Sequence, residues 1–165
     1  MSRKLVAYFS ATGATAKTAK TLAQAIGADR YEIKPETPYS KADLDWTNRK
    51  SRTSIEMNDP ASRPAVAKGR VDMEKYDTVF VGFPIWWYVA PHVINTFLES
   101  SDLTGKTVVP FATSGGSGMG KTNEMLAESC RGARLAEGRV FGRGTGAEEL
   151  ADWADGLTVP EALKQ

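Results

Sequence analysis

A chain of 165 residues has the length of one domain, and 41% hydrophobic with 25% charged residues is the composition of an ordinary globular protein. A formal net charge of +1 provides no global field for nucleic acid or a membrane surface, so neither is expected as a partner. Cys130 is the only cysteine and His92 the only histidine, which excludes an internal disulfide and leaves a poor ligand set for a metal. Function must therefore reside in a local site.

The chain begins with a strand and a helix. Residues 4–9 (KLVAYF) are short and almost wholly apolar, which predicts a parallel strand buried on both faces. Because this run is shorter than the ~7–15 residues of a signal-peptide core, a cytoplasmic protein is expected. A helix follows, whose apolar positions recur at i, i+3, i+4 and i+7, namely Ala19, Leu22, Ala23 and Ile26.

The alternation continues to the end of the chain. Strands are predicted at residues 78–83 and 106–111, with shorter ones near Tyr31 and Val140. A helix is predicted over 91–100, with Pro91 in its first turn. A last helix is expected to begin at Thr145, where Glu148 could complete a capping box.

Residues 35–76 are predicted to form an insertion between the second and third strands, with one helix starting near Ser40. The insertion carries more basic than acidic residues over 49–70. A solvated face and an anion-binding flap both explain this excess.

Strands that alternate with helices predict a single α/β domain over residues 1–165, with a parallel sheet between two helix layers. Ligands of such sheets bind beyond the carboxyl ends of the strands. The loops after the first, third and fourth strands are therefore the candidate sites.

Residues 115–122 (GGSGMGKT) match the P-loop pattern of nucleotide triphosphatases. The pattern follows the penultimate strand, however, and no nearby strand ends in an acidic residue that could complete a magnesium site. A P-loop triphosphatase is therefore the least favoured interpretation.

The loop after the first strand suits a phosphate better. Ser10, Thr12 and Thr15 offer hydroxyl groups, Gly13 permits close backbone approach, and the helix that follows supplies free N–H groups. The alternative is a capped helix start built from small residues.

The loop after the third strand, PIWWYVAP, contains three consecutive aromatic residues, Trp86, Trp87 and Tyr88. Consecutive side chains face different ways, so some of this aromatic surface should be exposed. Stacking on a planar ligand would explain the exposure. Packing against the insertion is the alternative.

With these three loops in this order, the sequence resembles the flavodoxin-like family, particularly its short members with a GFPIWW loop. YFSATGAT is similar to the FMN phosphate loop, YDTVFVGFPIWW to the isoalloxazine loop and PFATSGGSG to the third flavin loop. The resemblance implies a flavodoxin-like three-layer sandwich with a five-stranded parallel sheet of order 2-1-3-4-5. It also implies one non-covalent FMN.

Carried over to this chain, the resemblance implies three groups of cofactor-binding residues. The phosphate would be surrounded by Ser10, Thr12, Gly13, Ala14, Thr15 and Ala16. One side of the flavin ring would be lined by Pro84, Ile85, Trp86, Trp87 and Tyr88. The other side or the pyrimidine edge would be held by Ser114, Gly115, Gly116, Ser117 and Gly118.

The leading functional hypothesis is an FMN-dependent oxidoreductase that moves electrons from NAD(P)H to a small acceptor such as a quinone. No catalytic side chain and no metal are assigned, because the flavin carries the chemistry. Tyr88 and His92 could touch substrate or the flavin edge, although a lone histidine at a helix start is more often structural. The alternative is a flavodoxin-type carrier that passes single electrons between partner proteins. Under either hypothesis the protein is expected to be a monomer or a homodimer.

Overall fold

The computed structural model describes residues 3–67, 71–87, 89–114, 118–142 and 144–163, with side chains described as far as Gly156. The strands are β1 (Lys4–Tyr8), β2 (Asp29–Glu32), β3 (Thr78–Pro84), β4 (Thr107–Thr113), β5 (Arg134–Leu135) and β6 (Arg139–Phe141). The helices are α1 (Ala14–Ile26), α2 (Arg52–Asn58), α3 (His92–Glu99), α4 (Thr122–Ala127) and α5 (Ala147–Leu163). Short 3₁₀ turns occupy Met73–Lys75 and Glu128–Cys130.

All strands pair in parallel, in the order β2-β1-β3-β4-β5, and this confirms the predicted α/β fold and strand order. β6 also pairs with β4, further along the same edge, so this edge of the sheet consists of two short strands in place of the one predicted near Val140. β4 pairs through Thr107 and Val108 with β5, and from Phe111 to Thr113 with β6. A two-residue strand such as β5 is too short to show an alternating pattern in sequence.

Two apolar cores lie on the two faces of the sheet. On one face α1 and α5 bury Leu22 and Leu150 against Phe80 and Phe111. On the other face the core includes apolar residues of α3 and α4, with side chains of β1, β3 and β4. The central strands are buried on both faces, which explains their continuous apolar sequences. No helix in the described ranges has the length and apolar character that a membrane span needs.

The helix of the insertion begins at Arg52, so the expected start near Ser40 is wrong. Ser40 and Asp43 instead close a turn, in which each backbone N–H donates to the other's side chain, at 2.9 and 3.1 Å. The N-cap of α2 is Ser51, whose hydroxyl accepts from the backbone N–H of Ser54. Reciprocal serine and carboxylate bonds can cap a helix or close an isolated turn, and here they do the latter.

Two other helix starts differ slightly from the prediction. α5 begins at Ala147, and the Thr145 hydroxyl donates to the Gly142 carbonyl at 2.7 Å, so the expected start at Thr145 is wrong. Pro91 is the N-cap of α3 and precedes its first turn.

The insertion is joined to the sheet domain by backbone and side-chain contacts. Pro35, at its start, forms an antiparallel bridge with Val66, and the Ala67 N–H donates to the carbonyl of Lys34, just before the insertion, at 2.7 Å. Arg63 donates through Nε to both carboxylate oxygens of Glu99 on α3, at 3.0 Å each. These contacts hold the insertion beside the third strand–helix unit.

Candidate functional site

A cleft of about 540 Å³ opens beyond the carboxyl ends of β1, β3 and β4. Its volume lies in the ~300–1,000 Å³ range of small-molecule sites. Its lining comprises Thr12, Gly13, Ala14, Lys17, Thr18, Thr21, Pro84, Ile85, Thr113, Ser114, Gly144 and Thr145. The three loops predicted from the sequence thus contribute to one cleft.

The loop between β1 and α1 is shaped by Gly13. Its φ of 98° lies in the left-handed region, which costs other residues ~1–2 kcal/mol. The Gly13 N–H donates to the Ser10 hydroxyl at 3.0 Å, and the Gly13 carbonyl accepts the N–H of Lys17 at 3.1 Å. This geometry starts α1 with its first backbone N–H groups directed out of the helix end.

The start of α1 is electrostatically suited to an anion. The first turn contains no acidic residue, and the N–H groups of Ala14, Thr15 and Ala16 precede the first intrahelical bond. Thr12 and Lys17 are exposed and line the cleft beside them. Backbone donors, a hydroxyl and an ammonium group therefore converge where a phosphate is predicted.

Thr15 occupies a different position from the other hydroxyl-bearing residues of the loop. Its side chain is 1% exposed, and its Oγ1 lies 2.7 Å from Oγ1 of Thr113. This buried bond ties α1 to the end of β4 and fixes the floor of the cleft. The role predicted for Thr15 in phosphate binding stays a prediction.

Sequence reasoning missed several residues of the cleft. Lys17 and Thr21 follow Gly13 at intervals of four along α1, so they extend the same helix face away from the loop. This four-residue spacing was the feature of the sequence that could have identified them as cleft residues. Gly144 and Thr145 come from the segment before α5, where the sequence predicted a helix cap and no ligand contact.

The loop after β3 divides its residues between two surfaces. Pro84 and Ile85 line the cleft, and the Ile85 N–H donates to the Thr113 carbonyl at 3.2 Å. Trp86 and Val89 exchange backbone hydrogen bonds of 2.9 and 3.1 Å, which close a tight turn. Trp87, within this turn, has a φ of 50°.

The two tryptophans of the turn have different environments. Trp86 packs edge-on against Phe9 and Tyr39, with ring centroids 5.5 Å away from both. Tyr39 belongs to the insertion, so for Trp86 the alternative of packing against the insertion is observed. Trp87 is 39% exposed and faces a second cavity that it shares with Trp46. Neither indole lines the cleft itself.

The third loop is described only in part. Ser114 lines the cleft and Gly118 is exposed, whereas the predictions for Tyr88, Gly115, Gly116 and Ser117 fall outside the described residues. Thr122 begins α4 fully buried, and its hydroxyl donates to the Met119 carbonyl. In a P-loop this hydroxyl would hold magnesium, so its burial argues against the triphosphatase interpretation.

His92 is a packed residue of α3 with 4% exposure. Its Nδ1 lies 2.6 Å from the hydroxyl of Ser62, which donates to the Glu56 carbonyl. Burial, and secondarily the Arg63 guanidinium, lowers the pKa of His92 below its usual value of 6.5. These contacts favour the structural role over contact with a substrate.

Cys130 is 3% exposed, and burial raises the pKa of its thiol to about 11. A thiol in this environment is protonated at neutral pH and unreactive. Among the described residues there is also no cluster of His, Cys, Asp and Glu side chains that could hold a metal ion.

The fold and the cleft define an α/β protein in which a helix start suited to an anion lies at the carboxyl edge of a parallel sheet. A family model described as flavodoxin matches residues 3–157, and the chain therefore belongs to the flavodoxin family. No curated protein sequence matches the chain.

Solved structures of similar fold include both candidate and ligand-bound flavoproteins. A candidate flavoprotein from Bacteroides eggerthii DSM 20697 is 49% identical, with a TM-score of 0.90 over 96% of this chain and 99% of the other. A flavoprotein from Lactobacillus acidophilus NCFM, in complex with FMN, is 22% identical, with a TM-score of 0.71 over 93% and 99%. An NADH:FMN oxidoreductase is 19% identical, with a TM-score of 0.55 over 94% and 88%.

The described residues fit the cofactor that the sequence predicts. The turn at Gly13 and the start of α1 form a cradle for a phosphate. Pro84 and Ile85, at the end of β3, provide an apolar wall of the same cleft. Membership of the flavodoxin family supports FMN as this ligand.

Proposed function

We propose that the protein binds FMN in the cleft and acts as an FMN-dependent oxidoreductase in the cytoplasm. In this proposal NAD(P)H is the electron donor and a small molecule such as a quinone is the acceptor. The observation that carries it is the cleft itself, which joins the start of α1 to the loop after β3. When bound, FMN supplies the redox chemistry, and the protein supplies binding, orientation and electrostatics.

The residues of the cleft have separate roles in this proposal. The N–H groups at the start of α1, with Thr12 and Lys17, hold the phosphate. Pro84 and Ile85 contact one face of the flavin ring and exclude water from it, and Ser114 approaches from the loop after β4. The bond between Thr15 and Thr113 keeps the two loops at a fixed separation.

A second candidate function, one-electron transfer between proteins, is favoured by the family to which the chain belongs. Two observations count against it. A net charge of +1 provides no strong acidic field to steer basic partner proteins. The loop after β3 contains no glycine, and its left-handed position is occupied by Trp87. Classical flavodoxins often carry a glycine in this loop, where a peptide flip stabilises the half-reduced flavin, and a loop without glycine makes that flip less favourable.

An anaerobic titration tests the choice between these functions. FMN-loaded protein is mixed with NADPH, and separately with NADH, while flavin absorption near ~450 nm is followed, with dithionite as the control reductant. Rapid and complete bleaching by a nicotinamide supports the enzyme. Bleaching by dithionite alone, through a stable half-reduced state, would reject the enzyme in favour of the carrier.

A further inference from the structure

We propose that a second cavity, on the far side of the loop after β3, binds a planar aromatic anion, and that this anion is the electron acceptor. The cavity measures about 650 Å³ and is lined by Trp46, Thr47, Arg49, Ser54, Asn58 and Trp87. It is called the indole cavity below. The binding site follows from these residues alone, whereas the identity of its ligand as an acceptor rests on the proposed function.

The two indoles are the first argument. Trp46 is 73% exposed and Trp87 is 39% exposed, and both face the same cavity. Neither has a ring contact among the described residues, whereas Trp86 beside them packs on Phe9 and Tyr39. Exposed indoles offer large, rigid apolar faces on which a planar ligand can stack.

Both indoles are carried by constrained backbone. The left-handed φ of Trp87 is unfavourable for a non-glycine residue and is imposed by the hydrogen bonds between Trp86 and Val89. Trp46 lies in a turn in which Asp45 accepts the backbone N–H of Thr47 at 3.0 Å. The backbone at both indoles is therefore ordered before a ligand arrives, which reduces the entropy lost on binding.

The charge of the lining specifies an anion. Arg49 is the only charged residue of the lining, and no side-chain partner of Arg49 or Asn58 occurs among the described residues. Two other arginines of the insertion are engaged: Arg52 pairs with Glu56 at 3.0 Å, and Arg63 pairs with Glu99. An unengaged guanidinium beside two indoles suits a carboxylate or sulfonate attached to an aromatic ring.

The indole cavity adjoins the proposed flavin site through one short loop. Ile85 lines the cleft and Trp87 lines the indole cavity, and residues two apart have Cα atoms within about 7 Å. A quinone held there would be reduced to the hydroquinone by two electrons and two protons. NAD(P)H supplies a hydride, which is two electrons and one proton, and solvent supplies the second proton.

The experiment measures binding without turnover. Anthraquinone monosulfonate is titrated into FMN-loaded protein in the absence of NAD(P)H, and affinity is determined by equilibrium dialysis. Trp46→Ala should weaken binding about two- to thirteen-fold, which corresponds to the ~0.5–1.5 kcal/mol of one aromatic pair. Arg49→Gln should weaken it about five-fold, whereas neutral hydroxymethyl anthraquinone should bind Arg49→Gln and the parent protein equally.

Lys50→Gln is the matched control, because Lys50 is exposed, adjacent to Arg49 and absent from the lining. It should bind the sulfonate as the parent protein does. Unchanged affinity in both Trp46→Ala and Arg49→Gln would overturn the site, and equal losses in Arg49→Gln and Lys50→Gln would reduce it to general surface charge. The anaerobic titration with NADPH and NADH tests the proposed function in a separate experiment. Failure of the indole cavity to bind the sulfonate can therefore be distinguished from failure of the proposed function.

Discussion

At Gly82 the backbone of a central strand lies in close contact with a buried side chain of the core. It lies in β3 between Tyr8 of β1 and Phe111 of β4, with which it is in register. The Phe111 ring occupies the space above it, and a methyl group added to Gly82 would overlap three of the ring carbons. Since Phe111 is fully buried, its ring has little room to move away.

We expect Gly82→Ala to lower the free energy of unfolding by ~1–3 kcal/mol, because overpacking forces a side chain or the backbone to shift. Urea unfolding followed by circular dichroism measures this change. Gly156→Ala is the control: Gly156 is an exposed helical residue whose added methyl meets no atom within 4 Å, and the substitution should stabilise α5 by ~0.5–1 kcal/mol. Equal effects of the two substitutions would contradict this account of the packing.

His92 makes the stability of the protein depend on pH. Its pKa is lowered in the folded state, so below about pH 6.5 the unfolded chain binds more protons than the folded one. The free energy of unfolding should therefore decrease as the pH falls through this window, with a slope of at most ~1.4 kcal/mol per pH unit. The decrease should end once the pH has passed below the folded-state pKa.

Because His92 is the only histidine, His92→Asn removes histidine titration entirely. Denaturant unfolding at a series of pH values from about 8 to about 5.5 should show a slope in the parent protein and almost none in the variant. The same slope in both proteins would assign the dependence to other groups.

At the scale of elements, the sequence predicted what periodicity and turn residues specify. Continuous apolar runs predicted β1, β3 and β4, helical spacing predicted α1, and Pro91 marked the start of α3. The start of α2 was missed because the turn at Ser40 uses the same residue types as a helix cap.

The helix α1 should contribute to cofactor affinity beyond its first turn. We expect Lys17→Gln to weaken FMN binding about five-fold, or ~1 kcal/mol, through loss of an ammonium group near the phosphate. Lys20→Gln, an exposed position of the same helix outside the cleft lining, should leave the affinity unchanged. Quenching of flavin fluorescence on binding measures both values.

Riboflavin distinguishes this effect from a change in the fold, because it lacks the phosphate. Riboflavin should bind more weakly than FMN, and its affinity should be the same for Lys17→Gln and for the parent protein. A parallel loss of riboflavin affinity would show that Lys17 supports the structure of the cleft and does not act on the phosphate.

At the scale of the whole molecule, the proposed cofactor would join three loops that belong to separate strand–helix units. Binding to the folded state alone should stabilise the entire domain by ~2.7 kcal/mol at a hundredfold excess over Kd. For a chain of this length the increase in Tm is roughly 5–10 °C. Thermal unfolding with FMN should show this shift, and riboflavin should produce a smaller one.

Magnesium ATP provides the contrasting ligand in the same experiment. Thr122 is buried in α4 and its hydroxyl donates to the Met119 carbonyl, so this hydroxyl is not free to hold magnesium. We expect no change in Tm with magnesium ATP. A shift as large as that produced by FMN would revive the triphosphatase interpretation.

The general position of the candidate cleft was predictable from the sequence, and its detailed lining was not. Strand order and the glycine loop indicated the carboxyl edge of the sheet. The separation of Trp86 from Trp87 could not be inferred, because it depends on Tyr39 of the insertion and on a left-handed turn formed by a non-glycine residue. Residues brought together only by tertiary contacts leave no local pattern in a single sequence.

The two edges of the sheet also affect how readily the protein aggregates at high concentration. β2 has only four residues, of which Asp29, Arg30 and Glu32 are charged and exposed. The opposite margin is divided into β5 and β6, which pair with β4 on either side of Pro110. Edge strands that are short, charged or interrupted are poor templates for pairing with a strand of another molecule. The protein should therefore resist amyloid-like aggregation while it remains folded, even in crowded or concentrated solution.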